Sequence, residues 1–240
     1  MKNIITALLT ATLLTACATT AGPKVTDFNE QRQSVKVALM PMDVEVKFAK
    51  VGSTDVRVDW TETARENFET SLRNELVNSG ETVVDFEFIS SDESSEQLFL
   101  LQQHVEEAIT SHVVSVNPLT FKGTLPHKKG QDQMTYSLGS SVQSLKAQTG
   151  ADYAAFLTNR TVVESGGSIF TKIALGAVTG YAPGLSSFRG TYVSLVDLDS
   201  GEVKWLNANV GGISGDPRSA EVADKIVGKI FTASPFSDEE

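Results

Sequence analysis

Cysteine is nearly absent: the 240 residues contain one, Cys17. No intrachain disulfide can form, and a zinc site built on paired cysteines is excluded. Histidine is scarce too, with three residues, which leaves little for a His-rich metal site. Basic charge is the minority sign. Lys and Arg number 20 against 30 Asp and Glu, a formal net charge of −10. A general nucleic-acid binder needs a basic face, so that class is set aside. There is also no apolar run of the roughly 20 residues that a spanning helix requires. What remains is ordinary globular usage, 40% hydrophobic and 21% charged, at a length that suits one α/β domain.

The first residues carry the most specific signal. Met1-Lys2-Asn3 is a short positive n-region, and Ile4 to Leu14 is an apolar h-region broken by threonine and small residues. Its length of about ten residues suits a signal peptide rather than a spanning helix. Leu14-Thr15-Ala16-Cys17 then resembles the bacterial lipobox, in which the cysteine is acylated before cleavage. The other reading is an ordinary secretory signal cut nearby, with Cys17 a free thiol. The only cysteine of the chain standing straight after an h-region favours the lipobox. Residues 1–16 are then a lipoprotein signal, and Cys17 is the lipid (palmitate) attachment site. Several acyl chains at ~0.8 kcal/mol per buried methylene anchor a protein effectively permanently. Loss of Lys2 takes the formal charge to −11, so lipid rather than charge holds the chain at the membrane. By resemblance to enteric lipoproteins, Ala18 instead of Asp after the cysteine implies the outer membrane, on its periplasmic face.

Residues 17–33 are polar and aperiodic and read as a flexible tether. A coil of this length has a root-mean-square span of roughly 20–25 Å and an extended reach of roughly 55 Å. Residues 34–231 read as one α/β (α+β) domain, with a mixed or mainly antiparallel sheet and about four packed helices. A first strand runs from Val35 to Pro41. Alternation in 44–48 and 56–60 predicts a hairpin. Helices are expected from Thr61 to Asn78, with Thr61 or Thr63 as cap, and from about Ser94 to Val114, with Leu98, Leu101, Val105, Ala108, Ile109 and His112 on one side. Between them lies a strand over Val83–Ile89. Residues 115–135 read as a long connection. A third helix spans Tyr136–Thr149, ended by Gly150, and a strand follows from Ala151 to Val163. Thr191–Leu198 and Val203–Val210 form a hairpin around Asp199-Ser200-Gly201-Glu202. Asp216-Pro217 opens the last helix, with Val222, Ala223, Ile226, Val227 and Ile230 inward. Residues 232–240 read as an acidic disordered tail.

Ile169–Ala182 is mostly apolar, with Lys172 its only charge. At this length it cannot span a bilayer as a helix. Two readings stand. Either it folds over the protein's own sheet, or it touches the membrane or a partner through Phe170, Leu175 and Tyr181.

No catalytic constellation assembles. Asp43, Glu45, Asp55 and Asp59 fall on the polar side of the expected hairpin, as a solvated strand face would. His104 and His112 are turned about 80° apart on a helix and make poor co-ligands, and His127 is loop-like. Ser214 in Gly211-Gly212-Ile213-Ser214-Gly215 misses the nucleophile-elbow spacing. No phosphate or dinucleotide loop occurs. The reading is therefore non-enzymatic, with no catalytic residue, metal or cofactor.

The Val37-Ala38-Leu39-Met40-Pro41 strand, the Gly150-Ala151-Asp152-Tyr153-Ala154 junction and the Leu195–Trp205 hairpin, together with the lipobox, carry a resemblance. Over residues 35–231 the chain resembles bacterial envelope lipoproteins of the group that includes the curli-secretion protein CsgG, the synthase activator LpoB and the TolB amino-terminal domain. The resemblance implies an α/β module that binds another envelope protein as an interaction or scaffold unit. The alternative is a subunit of an oligomeric secretion or transport assembly in which 169–182 contacts the membrane. Partners are then the membrane through the anchor, an envelope protein and, as an option, further copies of the chain.

Overall fold

The computed structural model describes residues 34–86, 93–116, 136–166, 190–210, 215–232 and 234–236. They form a single mixed α/β domain. In chain order it contains β1 (Lys36–Leu39), β2 (Asp43–Lys50), β3 (Ser53–Val56), α1 (Val58–Asn78), β4 (Thr82–Asp85), α2 (Glu93–Val116), α3 (Val142–Thr149), β5 (Tyr153–Glu164), β6 (Gly190–Asp197), β7 (Val203–Val210) and α4 (Ala220–Phe231).

The seven strands make one mixed sheet organised around β5. Its first half pairs in parallel with β1 and its second half in parallel with β2. Its other edge pairs antiparallel with β6 along the whole of 153–160. β1 and β2 therefore lie in tandem along one edge of β5, broken at Pro41, which has no N–H for a ladder. β4 adds in parallel outside β1, β3 antiparallel outside β2, and β7 antiparallel outside β6.

Side-chain alternation divides the core into two layers. Val37, Leu39, Val44, Val46, Leu157, Val193 and Leu195 face α1 and α4. Ala38, Met40, Ala154, Phe156 and Val196 face α3 and the start of α2, and Tyr192, Leu206 and Ala208 face Ile109 of α2. A register shift opposite Leu195/Val196 sets Trp205 against Leu195 and Val203 against Val196. This bulge turns Trp205 onto the α4 side, where its ring meets Phe231 edge-on at 5.7 Å.

Several expected boundaries move. The hairpin is shorter than the alternation implies: β3 ends at Val56, and Val58 and Trp60 belong to α1. The Arg57 N–H closes the last hairpin bond to the Val46 carbonyl at 2.9 Å. From there the Trp60, Ala64, Phe68, Leu72, Leu76 spacing is helical, and Asp59 lies in the favourable first turn. Neither Thr61 nor Thr63 is the cap. Thr61 Oγ1 instead accepts the Val46 N–H at 3.0 Å, and Thr63 donates to the Asp59 carbonyl. β4 covers only Thr82–Asp85, and the rest of that expected strand, from 87, lies outside the described residues.

The helix expected from Tyr136 begins later, and Ser137 instead forms a β-bridge with Glu202. Val203 N–H bonds to the Tyr136 carbonyl and Leu138 N–H to the Gly201 carbonyl. A 3₁₀ turn at Gly139–Ser141 precedes α3. Gly150, at φ +62°, ends α3 as expected. Asp216-Pro217 does not open α4. The Asp216 carboxylate is taken up by the Arg218 backbone N–H and guanidinium in a turn, so the helix begins at Ala220 behind Ser219. Beyond α4, Phe236 is buried in the α1/α4 layer, so the packed part of the chain extends past residue 231 into the segment expected as a free tail.

Candidate functional site

The buried face of α2 is the expected one only in part. Leu98, Val105 and Ile109 turn inward, but Leu101 is 37% exposed and Ala108 is exposed as well. Gln102 and Glu106, only 5% and 6% exposed, take the inward positions instead. They do so because the sheet offers polar groups there. Thr158 and Arg160 of β5 and Ser194 of β6 project to this side, together with Asp43 of β2.

These residues form two hydrogen-bonded groups, side by side, between apolar anchors at Leu98 and Ile109. Arg160 donates from Nη1 to Asp43 Oδ1 at 2.9 Å and from Nη2 to Oδ2 at 2.6 Å. Its Nη1 also reaches the Asp43 carbonyl at 3.0 Å. Gln103 Nε2 donates to Asp43 Oδ2 at 2.8 Å. Glu106 Oε2 accepts from Gln102 Nε2 and Thr158 Oγ1, both at 2.9 Å, and Gln102 Nε2 also contacts Ser194 Oγ at 3.3 Å. Glu106 Oε1 is buried without a hydrogen-bond partner.

Burial pushes the Glu106 carboxyl up, and the Asp43 charge adds to this, while Gln102, Thr158 and Arg160 oppose. Tyr192, beside it on β6, is held well above the usual phenol range by burial and by Glu106. Arg160 is raised: its bonds to the Asp43 carboxylate and the charges of Asp43, Glu45 and Glu106 outweigh its burial. The crevice lined by Gln102, Glu106, Ile109, Leu138, Ser194 and Leu206 has no room for a water. This arrangement can clamp a helix to a sheet.

A second cluster lies on the surface at the start of α1. The Trp60 ring carries the Arg218 guanidinium 3.6 Å from its centroid and that of Arg57 at 4.4 Å. Phe48 meets it edge-on at 5.1 Å. Each arginine is pinned by its own carboxylate, Asp216 and Asp59 respectively. Val51, Val56 and Val58 are exposed on the same hairpin and helix start.

The four acids expected on one polar face do not converge. Asp43 binds Arg160, Glu45 pairs with Lys47 at 2.8 Å, Asp55 lies 4.0 Å from Lys50, and Asp59 is 3.0 Å from Arg57. His104 is exposed, 3.8 Å from Glu107. Among the described residues no group of three or more His, Cys, Asp or Glu could hold a metal ion, and no helix is long and apolar enough to cross a membrane. Cys17, His127, Phe170, Leu175, Tyr181 and Ser214 lie outside the described residues. Sequence reasoning missed Glu106, Gln102 and Arg160. The available signal was the i,i+4 pair Gln102/Glu106 set between Leu98 and Ile109.

No protein-family model matches the chain, and no curated protein sequence matches it. Among solved structures it is similar to two of the PelC dodecamer from Paraburkholderia phytofirmans, each at 13% identity. One has a TM-score of 0.35 and covers 91% of this chain and 96% of that one. The other has a TM-score of 0.34 and covers 92% and 96%. It bears a weak structural resemblance to the LpoB C-terminal domain from Salmonella enterica, at 13% identity and a TM-score of 0.29, over 79% of this chain and 93% of that one.

Proposed function

We propose that this chain is a lipid-anchored module on the periplasmic face of the bacterial outer membrane, acting through protein contacts rather than catalysis. The observation that carries this reading is Cys17, the sole cysteine, at the end of Leu14-Thr15-Ala16-Cys17. Of the ionisable groups under α2, Asp43 and Arg160 are spent on each other, which supports the non-catalytic part. Changing Cys17 to serine should abolish incorporation of labelled palmitate and move the protein out of the membrane fraction, as soluble periplasmic protein or uncleaved precursor. Wild-type labelling and fractionation of that variant would sink the reading.

The alternative is a subunit of an oligomeric secretion or transport assembly in which Ile169–Ala182 contacts the membrane. The tether joins at Ser34, beside the start of β5, where Lys36 N–H bonds to Asp152. The apolar insert leaves after the far end of β5, where Ser165 N–H bonds to the Ala49 carbonyl. β5 has 12 residues, which separates the two points by roughly 36 Å. The extended tether reaches roughly 55 Å and covers that distance. We favour an insert that covers its own domain, because the run is too short to span a bilayer and has only Lys172 to offset repulsion between an acidic chain and lipid head groups. In the unlipidated protein, Ile173→Asp should bury an unpaired charge and lower stability measurably. A stability within about 0.5 kcal/mol of wild type, with loss of liposome binding or of assembly, would favour the alternative.

A further inference from the structure

We propose that α2 is held on the sheet by Glu106 in its neutral, protonated form, and that ionisation of this one carboxyl loosens α2 and uncovers the surface beneath it.

The geometry disfavours the charged carboxylate, for which an unserved oxygen costs more than for the neutral acid. A buried carboxylate needs donors on both oxygens. Here both donors, Gln102 and Thr158, converge on Oε2, and Oε1 has none. The nearby cation does not serve it, because Arg160 turns its guanidinium to Asp43. From β2, Asp43 faces Glu106 with a negative charge, and Glu45 stands behind it against Arg160. From β5 come Arg160 and Thr158, and from β6 come Tyr192 and Ser194. From β7, Val203, Leu206 and Ala208 face this layer. On α2 itself His104 and Glu107 are exposed on the outer side. One carboxyl thus sits mid-helix in a layer that leaves its second oxygen unserved. Gln102 and Glu106 also displace the apolar residues that would otherwise have held this part of α2.

Burial and Asp43 raise the Glu106 carboxyl above its ordinary range. The docked state therefore binds the proton more tightly than the undocked one. The contribution to docking is complete below the ordinary carboxylate pKa. It is lost as pH rises from there through the raised value. Asp197 and Asp216 are lowered, Asp197 by backbone and Ser200 bonds against its burial, Asp216 chiefly by Arg218. Their contributions are lost in the opposite direction, toward acid. A global melting temperature therefore mixes the two trends, and a local readout is needed.

The test is hydrogen–deuterium exchange of the full chain in detergent from about pH 4 to about pH 8, corrected for intrinsic rates. The α2 amides should lose protection by up to about tenfold per pH unit within the window, while α1 and β5 stay protected. In Glu106→Gln, a neutral isostere, α2 should stay protected at every pH. Flat α2 protection in the wild type overturns the proposal. So does a Glu106→Gln variant that keeps the wild-type pH dependence, which assigns it to another group. A variant with α2 unprotected at every pH overturns it as well, because the charged form would then be the one that docks.

Discussion

Replacing Phe68 with alanine should lower the stability of the domain by about 3–5 kcal/mol. Phe68 is fully buried at the centre of the α1 stripe, between Ala64 and Leu72, and packs in the layer that α1 and α4 share against the sheet. Nothing near it is exposed enough to relax into the space, since Leu72, Leu76, Leu157 and Val193 are themselves buried. Such a loss is a large share of the roughly 5–15 kcal/mol that holds a domain folded. Ile226→Ala, on the facing side of α4, should cost about 2–5 kcal/mol. Lys225→Ala should stay within about 0.5 kcal/mol, because its amine only pairs with exposed Glu221. Denaturant melts of the three variants check this. Equal midpoints for Ile226→Ala and Lys225→Ala would remove the assignment of the α4 face.

The second large effect is expected at Gly201, in the turn between β6 and β7. Its φ is +74°, and a Cβ placed there would lie 2.2 Å from the Gly139 carbonyl oxygen. The left-handed backbone costs roughly 1–2 kcal/mol for a residue with a side chain, and the overlap adds roughly 1–3 kcal/mol. Gly201→Ala should therefore destabilise by about 2–5 kcal/mol. Because Leu138 N–H bonds to the Gly201 carbonyl, the loss should also release Tyr136–Ser141 from the hairpin. Gly52 has φ +85°, and a Cβ at that position would meet nothing within 4 Å, so Gly52→Ala should cost only the backbone part. Thermal melts showing the two alanine variants equally destabilised would refute the close approach of Gly139 as the cause.

Gly201 illustrates how much of the fold is readable beforehand. Asp199-Ser200-Gly201-Glu202 marks a turn in any reading, and the hairpin falls almost where expected. That the glycine also admits a second backbone follows only from the bridge between Ser137 and Glu202, two residues far apart in the chain. The start of α1 fails for a related reason. Val56, Val58 and Trp60 satisfy a period of two, yet Trp60, Ala64 and Phe68 satisfy a period of four equally well. Packing of Trp60 against Phe48 and Arg218 selects the helix.

The candidate polar layer was illegible in a stronger sense. Leu101 is the apolar choice for the inner face of α2, and hydrophobic periodicity selects it. Gln102 and Glu106 are buried instead because the sheet presents Thr158, Ser194 and the Asp43–Arg160 pair, which come from three strands with wide sequence separation.

By itself the sequence determined whatever depends on neighbours along the chain: the single-cysteine lipobox expectation, the stripes of α1 and α4, the glycine stop of α3, and the mixed α/β character of the domain. Tertiary structure alone decided the tandem placement of β1 and β2 on one edge of β5, the bulge that turns Trp205 toward α4, and the rotation of α2 that buries Glu106. Each of those depends on the free energy of matching groups brought together by strand pairing, and no local pattern encodes which partner will be opposite.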